Sequence, residues 1–83
     1  MELKDTIELM QSSEYKDRFK AEYYQLKTRY YKLRNVIHKY EFDELDFELS
    51  CPIEMLKEQS DFMERYLNIL ELRAEIERIS LDN

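Results

Sequence analysis

From Phe19 to Tyr40, seven apolar or aromatic residues recur in alternating steps of four and three without a miss: Phe19, Tyr23, Leu26, Tyr30, Leu33, Ile37 and Tyr40. That spacing holds one stripe of a helix in a constant direction for three heptads, so the segment has to lie lengthwise against another helix. A helix of roughly 28 residues is about 42 Å long at 1.5 Å per residue. The chain contains no glycine and one proline, and tight β-turns lean on glycine. The predicted fold class is all-α.

The partner helix is predicted over residues 52–79. Cys51-Pro52-Ile53-Glu54 reads as its start, with proline at the first helical position, Ser50 or Cys51 as cap, and a glutamate near the positive helix end. Between the two helices, residues 41–50 break the seam and carry five acids, Glu41, Asp43, Glu44, Asp46 and Glu48; they are predicted to form a loop. Leu3, Ile7 and Met10 follow a helical step, which predicts a short helix over 2–11. Ser12 or Ser13 is expected to cap the long helix over 13–40. The expected architecture is a short N-terminal helix followed by a long antiparallel helical hairpin, in one domain spanning 1–83.

The last helix shows two adjacent apolar stripes. One holds Met55, Phe62, Ile69 and Ile76; the other holds Leu56, Met63 and Leu70, with Leu67 and Ala74 beside them. A single antiparallel partner covers only one such stripe. The other falls to the N-terminal helix or to a second copy of the chain. A chain of 83 residues has a small intrinsic core, since small domains bury only roughly 60% of their unfolded surface. Oligomerisation into a helical bundle is therefore the expectation.

Several classes of function are disfavoured. The chain has one cysteine, Cys51, and one histidine, His38, which gives neither a disulfide nor a metal-ligand set; no metal or cofactor is expected. His38 precedes Glu41, the reverse of the Glu-x-x-His order of di-iron bundles. Cys51 at a helix start reads as a capping or packing residue. No apolar run approaches the ~20 residues that span a bilayer, and a chain with no paired cysteines suits a reducing cytoplasm. A net charge of −6 argues against general DNA or RNA binding. With no glycine loop for phosphates and no convergent acid–base set, binding is expected rather than catalysis.

The charge is sharply segregated. Residues 15–40 carry eight Lys/Arg against two acids, a net of +6. Within them Tyr24, Lys27, Tyr31, Arg34 and His38 step by three and four beside the apolar seam, and Lys20 extends the row. Rings alternating with cations can stack a base while neutralising a phosphate. The competing account is that these cationic stems lie over the seam and pair with Glu58, Asp61 and Glu64 of the last helix. The acidic loop has two readings as well, a solvated run or an imitation of a phosphate backbone.

Met1-Glu2-Leu3-Lys4-Asp5, Tyr15-Lys16-Asp17-Arg18-Phe19-Lys20-Ala21-Glu22-Tyr23, Leu45-Asp46-Phe47, Cys51-Pro52, Leu56-Lys57-Glu58-Gln59, Met63 with Tyr66, and Leu72-Arg73-Ala74 together resemble a family of short helical-hairpin proteins encoded in phages and prophages. The general plan is similar to that of the anti-CBASS sponge family. That resemblance implies a homo-oligomer in the host-cell cytoplasm that counteracts antiviral defence by sequestering a cyclic nucleotide, with an aromatic ring and a lysine holding the ligand. Tyr24, Lys27, Tyr31 and Arg34 are the candidate ligand-binding residues. The alternatives are a protein–protein inhibitor of anti-CRISPR type, acting on a host defence protein through the acidic surface, and a structural or regulatory interaction module.

Overall fold

The computed structural model describes residues 2–81; Met1, Asp82 and Asn83 of the expected domain lie outside them. A 3-10 turn, Leu3–Thr6, runs into α1 (Ile7–Met10), followed by α2 (Tyr15–Glu41) and α3 (Ile53–Glu77). No strand occurs among the described residues, and no helix there is long and apolar enough to cross a membrane. The longest dimension, 43 Å, is close to the ~40 Å that 27 helical residues require. The all-α hairpin is as the spacing predicts.

On α2, Phe19, Tyr23 and Ile37 are buried and Leu26, Tyr30 and Leu33 are half-buried, while Tyr40 at the far end is exposed. The matching face of α3 is Ile53, Leu56, Ser60, Met63, Leu67, Leu70 and Ala74, also in alternating steps of three and four. Ser60, Leu67, Leu70 and Ala74 are its buried members. Two heptad seams thus interlock along the hairpin. Ser60 is the position that periodicity of apolar residues passes over. Its small side chain still lies on the seam at 1% exposure.

The N-terminal segment settles onto the opposite side of α2, where a single apolar stripe predicts no cover. The 3-10 turn and α1 both pack against α2 and make no contact with α3. Ala21 is buried under them, and Gln25 Nε2 donates to Thr6 Oγ1 at 3.0 Å. Here the helix phase differs from expectation. Ile7 and Met10 are half exposed, whereas Thr6 is fully buried and Leu9 packs on the core. The 3-10 start explains the shift, because its three-residue turn stacks Leu3, Thr6 and Leu9 on one side.

Both long helices stop without glycine. Asp43 (φ 55°) and Arg78 (φ 57°) take the left-handed conformation. After α2, Glu44 N–H donates to Lys39 O at 2.7 Å; after α3, Ile79 N–H donates to Ala74 O at 2.8 Å. Each bond satisfies a carbonyl the helix end leaves open. At the start of α3, Pro52 itself takes the cap position with φ −60° and ψ 144°, so the helix opens at Ile53, one residue later than predicted. At the start of α2 the cap position is Glu14 rather than a serine. Ser12 works just upstream, its Oγ accepting from Glu14 N–H at 3.1 Å and donating to Asp17 at 2.8 Å.

The hairpin is also tied at its open end. Tyr15 hydroxyl donates to Glu77 at 2.6 Å, Arg73 Nε donates to Glu77 at 3.1 Å, and Arg73 Nη2 donates to Tyr15 Oη at 2.8 Å. The Tyr15 hydroxyl, with help from Arg73, holds the Glu77 carboxyl below the usual carboxylate range. Further along, Tyr23 hydroxyl donates to Glu71 at 3.1 Å. Burial, reinforced by the Glu71 carboxylate, pushes the Tyr23 phenol up to about 12.

Two outcomes follow from this packing. Leu70 has 0% exposure, so Leu70→Ala should cost about 2–5 kcal/mol, whereas the exposed Asn35→Ala should change stability by about 0.5 kcal/mol or less; denaturant melts followed by circular dichroism measure both. For Tyr23 the folded-state value lies above the unfolded one, so its contribution is complete below pH 10 and is lost as pH rises toward 12. Alkaline melts of Tyr23→Phe should therefore fall less steeply across that window than those of the parent, and parallel curves would show that Tyr23 does not titrate this way.

Candidate functional site

α2 and α3 diverge on one side of their shared seam and leave a groove of about 260 Å³. From α2 come Tyr23, Lys27, Tyr30 and Tyr31; from α3 come Glu64, Leu67, Asn68 and Glu71. The α2 members arise because the apolar seam and the cation–aromatic row are adjacent stripes of one helix, so their borderline faces the gap. Glu64, Asn68 and Glu71 recur at steps of four and three on the flank of α3 that faces them.

The rings in the groove are arranged in pairs. Tyr30 and Tyr31 lie with centroids 5.4 Å apart, inclined at 57°. Lys27 Nζ stands 5.6 Å from the centroid of the Tyr23 ring, close enough for attraction between the ammonium and the π face. Tyr31 is 59% exposed, and its outer surface is open to a stacking partner. Tyr23 forms the floor, and its hydroxyl is committed to Glu71.

The four residues singled out from the sequence are distributed unevenly. Lys27 and Tyr31 meet in the groove. Arg34 is exposed on the same face of α2, one turn further on. Tyr24 lies in the core at 4% exposure. Its ring contacts that of Tyr23 edge-on at 5.4 Å, and its hydroxyl donates to Leu81 O. The cause is the segment after Arg78, which returns along α2 with Ile79 buried and covers a position that would otherwise be open. Lys20 is half-buried and His38 is exposed, its ring 4.6 Å from that of Phe42.

Internal pairing with α3 does not account for the cationic row. Among the described residues the ion pairs are Lys57–Glu41 at 3.9 Å and Arg73–Glu77 at 3.1 Å. Neither involves Lys27, Arg34, Glu58, Asp61 or Glu64. Sequence reading places Tyr23 and Tyr30 wholly in the core; the structure gives each a second role as groove wall. Glu64, Asn68 and Glu71 are the members that a search on α2 alone misses.

Chemically, the groove offers one cation, inclined aromatic rings, an amide and two carboxylates. A larger hollow of about 540 Å³ lies under the acidic segment, walled by Tyr40, Leu45, Phe47, Leu49 and Ile53 with Asp43 and Glu48 also lining it. Its charged lining is acidic with no cation beside it, whereas the groove sets Lys27 against its two carboxylates, so the hollow opposes an anionic ligand more strongly. Among the described residues no three His, Cys, Asp or Glu side chains cluster as metal ligands, and Cys51 is a half-buried free thiol.

Comparison with known proteins gives a match to the family model Sequestin over residues 13–76. The match takes in all of α2, the connecting segment and nearly all of α3. No curated protein and no solved structure matches the chain. With most of its length, groove included, inside the matched region, the chain belongs to the Sequestin family.

Proposed function

We propose that this chain is a non-enzymatic sponge that takes up a cyclic nucleotide signal and so counteracts host antiviral defence in the cytoplasm of a phage-infected cell. The observation that carries the reading is the groove itself, where the Lys27 ammonium stands among Tyr23, Tyr30 and Tyr31 with no ion-pair partner among the described residues. The family's name, which denotes sequestering, and the resemblance to the sponge family support the same reading.

The roles divide by chemistry. A base stacks on the open face of Tyr31, a contact worth roughly 1–3 kcal/mol. Lys27 meets a phosphate oxygen, with Arg34 one turn away as a second cation along the same face. Glu64, Asn68 and Glu71 accept hydrogen bonds from ribose hydroxyls or exocyclic amines. Tyr24 supports the Tyr23 ring from the core and does not touch the ligand. The groove's about 260 Å³ falls just below the roughly 300–1,000 Å³ of pockets that engulf a whole drug-sized ligand. It seats one nucleoside unit and leaves the rest of a cyclic dinucleotide over the rim toward Arg34.

A second reading has its own observation. Glu41, Asp43, Glu44, Asp46 and Glu48 are all exposed, and a protein inhibitor of anti-CRISPR type would use them to occupy a basic nucleic-acid channel.

Calorimetry of the parent against a panel of cyclic nucleotides distinguishes the two. Binding by the parent is expected, with Lys27→Ala and Tyr31→Ala each weakening it at least about tenfold, since ~1.4 kcal/mol is one decade. Helical circular dichroism should be unchanged in both, because neither side chain is buried. Affinity should also fall with added salt in the parent and less so in Lys27→Ala. Unchanged affinity in both variants moves the ligand away from this groove, and absence of binding to every cyclic nucleotide leaves the protein-inhibitor reading.

A further inference from the structure

The hollow at the closed end of the hairpin, about 540 Å³ in volume, lies inside the roughly 300–1,000 Å³ range of small-molecule pockets. Its lining combines two chemistries. Leu45, Leu49 and Ile53 supply half-buried apolar wall, and the Tyr40 and Phe47 rings stand beside them at 46% and 55% exposure. Asp43 and Glu48 bring carboxylates into the same lining, and no lysine or arginine belongs to it. The side chains of Tyr40, Asp43, Phe47 and Glu48 make no hydrogen bond, ion pair or ring contact among the described residues. Two rings and two carboxylates without internal partners therefore border one cavity. The field around it has the same sign, because residues 41–50 carry five acids and no lysine or arginine. Of those acids only Glu41 has a cation partner among the described residues, Lys57 at 3.9 Å, and Glu41 is not part of the lining.

We propose that this hollow binds an aliphatic polyamine, a small molecule whose ammonium groups are joined by methylene stems. Each part of the lining answers a part of that ligand. Asp43 and Glu48 accept charge-assisted hydrogen bonds from ammonium groups. The π faces of Tyr40 and Phe47 attract the same charges. Between them, the apolar side chains of Leu45, Leu49 and Ile53 take the methylenes out of water. Other classes of ligand use only half of this lining. A metal ion gains nothing from the rings and apolar wall, and among the described residues no three His, Cys, Asp or Glu side chains cluster to hold one. A neutral apolar molecule leaves both carboxylates unanswered, and an anion is repelled by them. More than one positive charge fits better than one, since two carboxylates line the hollow and Glu44 and Asp46 stand exposed on the same segment. The site shares no residue with the Lys27 groove, so it does not rest on the nucleotide reading.

Calorimetry of the full chain with spermidine, in reducing buffer, tests the proposal. Spermidine should bind, more weakly as salt is added, and a neutral diol of similar length should not. Tyr40→Ala and Phe47→Ala keep the charge of the site, and Asp43→Asn and Glu48→Gln keep its shape. Each of the four should weaken spermidine binding by about threefold or more. Helical circular dichroism should stay intact in all of them, because the four side chains are exposed. Amide resonances that move on titration should fall within residues 40–53. Absence of spermidine binding overturns the proposal. Affinity that survives loss of either ring also overturns it, because the attraction is then that of a diffuse acidic surface. A lysine- and arginine-rich peptide that binds where spermidine does not assigns the acidic segment to a protein partner and overturns the small-molecule site.

Discussion

The packing of the α2 seam against the α3 seam is the interaction on which everything else in this chain depends. α1 is four residues long, far short of the ~12–15 at which an isolated helix becomes even marginal in water, so it forms by resting on α2. The segment after Arg78 likewise has order because Ile79 enters the core that Phe19, Tyr23, Tyr24, Leu67, Leu70 and Ala74 already make. Leu70, with no exposed surface, sits within this contact. Loss of the seam removes the footing of both terminal segments together.

The groove is a by-product of the same packing. An α-helix presents stripes rather than flat faces, and two cylinders in contact along one line diverge on either side of it. The residues that border the line therefore belong half to the core and half to the cleft. Tyrosine suits such a border because it has an apolar body with a polar tip. Tyr23 uses its ring as core and its hydroxyl to hold Glu71, and Tyr30 and Tyr31 continue outward from it. A lysine placed among these rings keeps its charge available, because it stands over a π face and is in no ion pair among the described residues.

How far the sequence could be read depended on how local each signal was. The seam from Phe19 to Tyr40 is a property of one helix, and it was legible residue by residue except at Tyr40, where the hairpin has begun to open into the acidic segment. The two stripes of α3 were also legible, as was the fact that α2 would cover one of them, though not which. What could not be read were features that depend on two segments meeting. Tyr24 occupies the same helical row as Lys27 and Tyr31, and nothing in that row announces that Leu81 will return to accept its hydroxyl. Likewise Asp43 and Arg78 stop their helices in a conformation usually given to glycine, and in a glycine-free chain those stops carry no sequence mark. At the N-terminus the 3-10 geometry changed the period from 3.6 to 3, which moved burial from Ile7 and Met10 to Thr6 and Leu9.

The distribution of charge gains a physical sense once the faces are assigned. The excess of cations on residues 15–40 lies on the helix that supplies the groove, and acids dominate the connecting segment and α3. Were the cations drawn into pairs with those acids, the two helices would gain little, because exposed ion pairs contribute only about 0–1 kcal/mol, and the groove would lose its positive member. The hairpin is held instead by apolar contact and by a few directed bonds at its open end, Tyr15 to Glu77 and Arg73 to Tyr15. Cohesion thus comes from one stripe of each helix, leaving the flank of α2 free to be cationic and the back of α3 free to be apolar. A change on either of these outer faces therefore need not disturb the packing between the two helices.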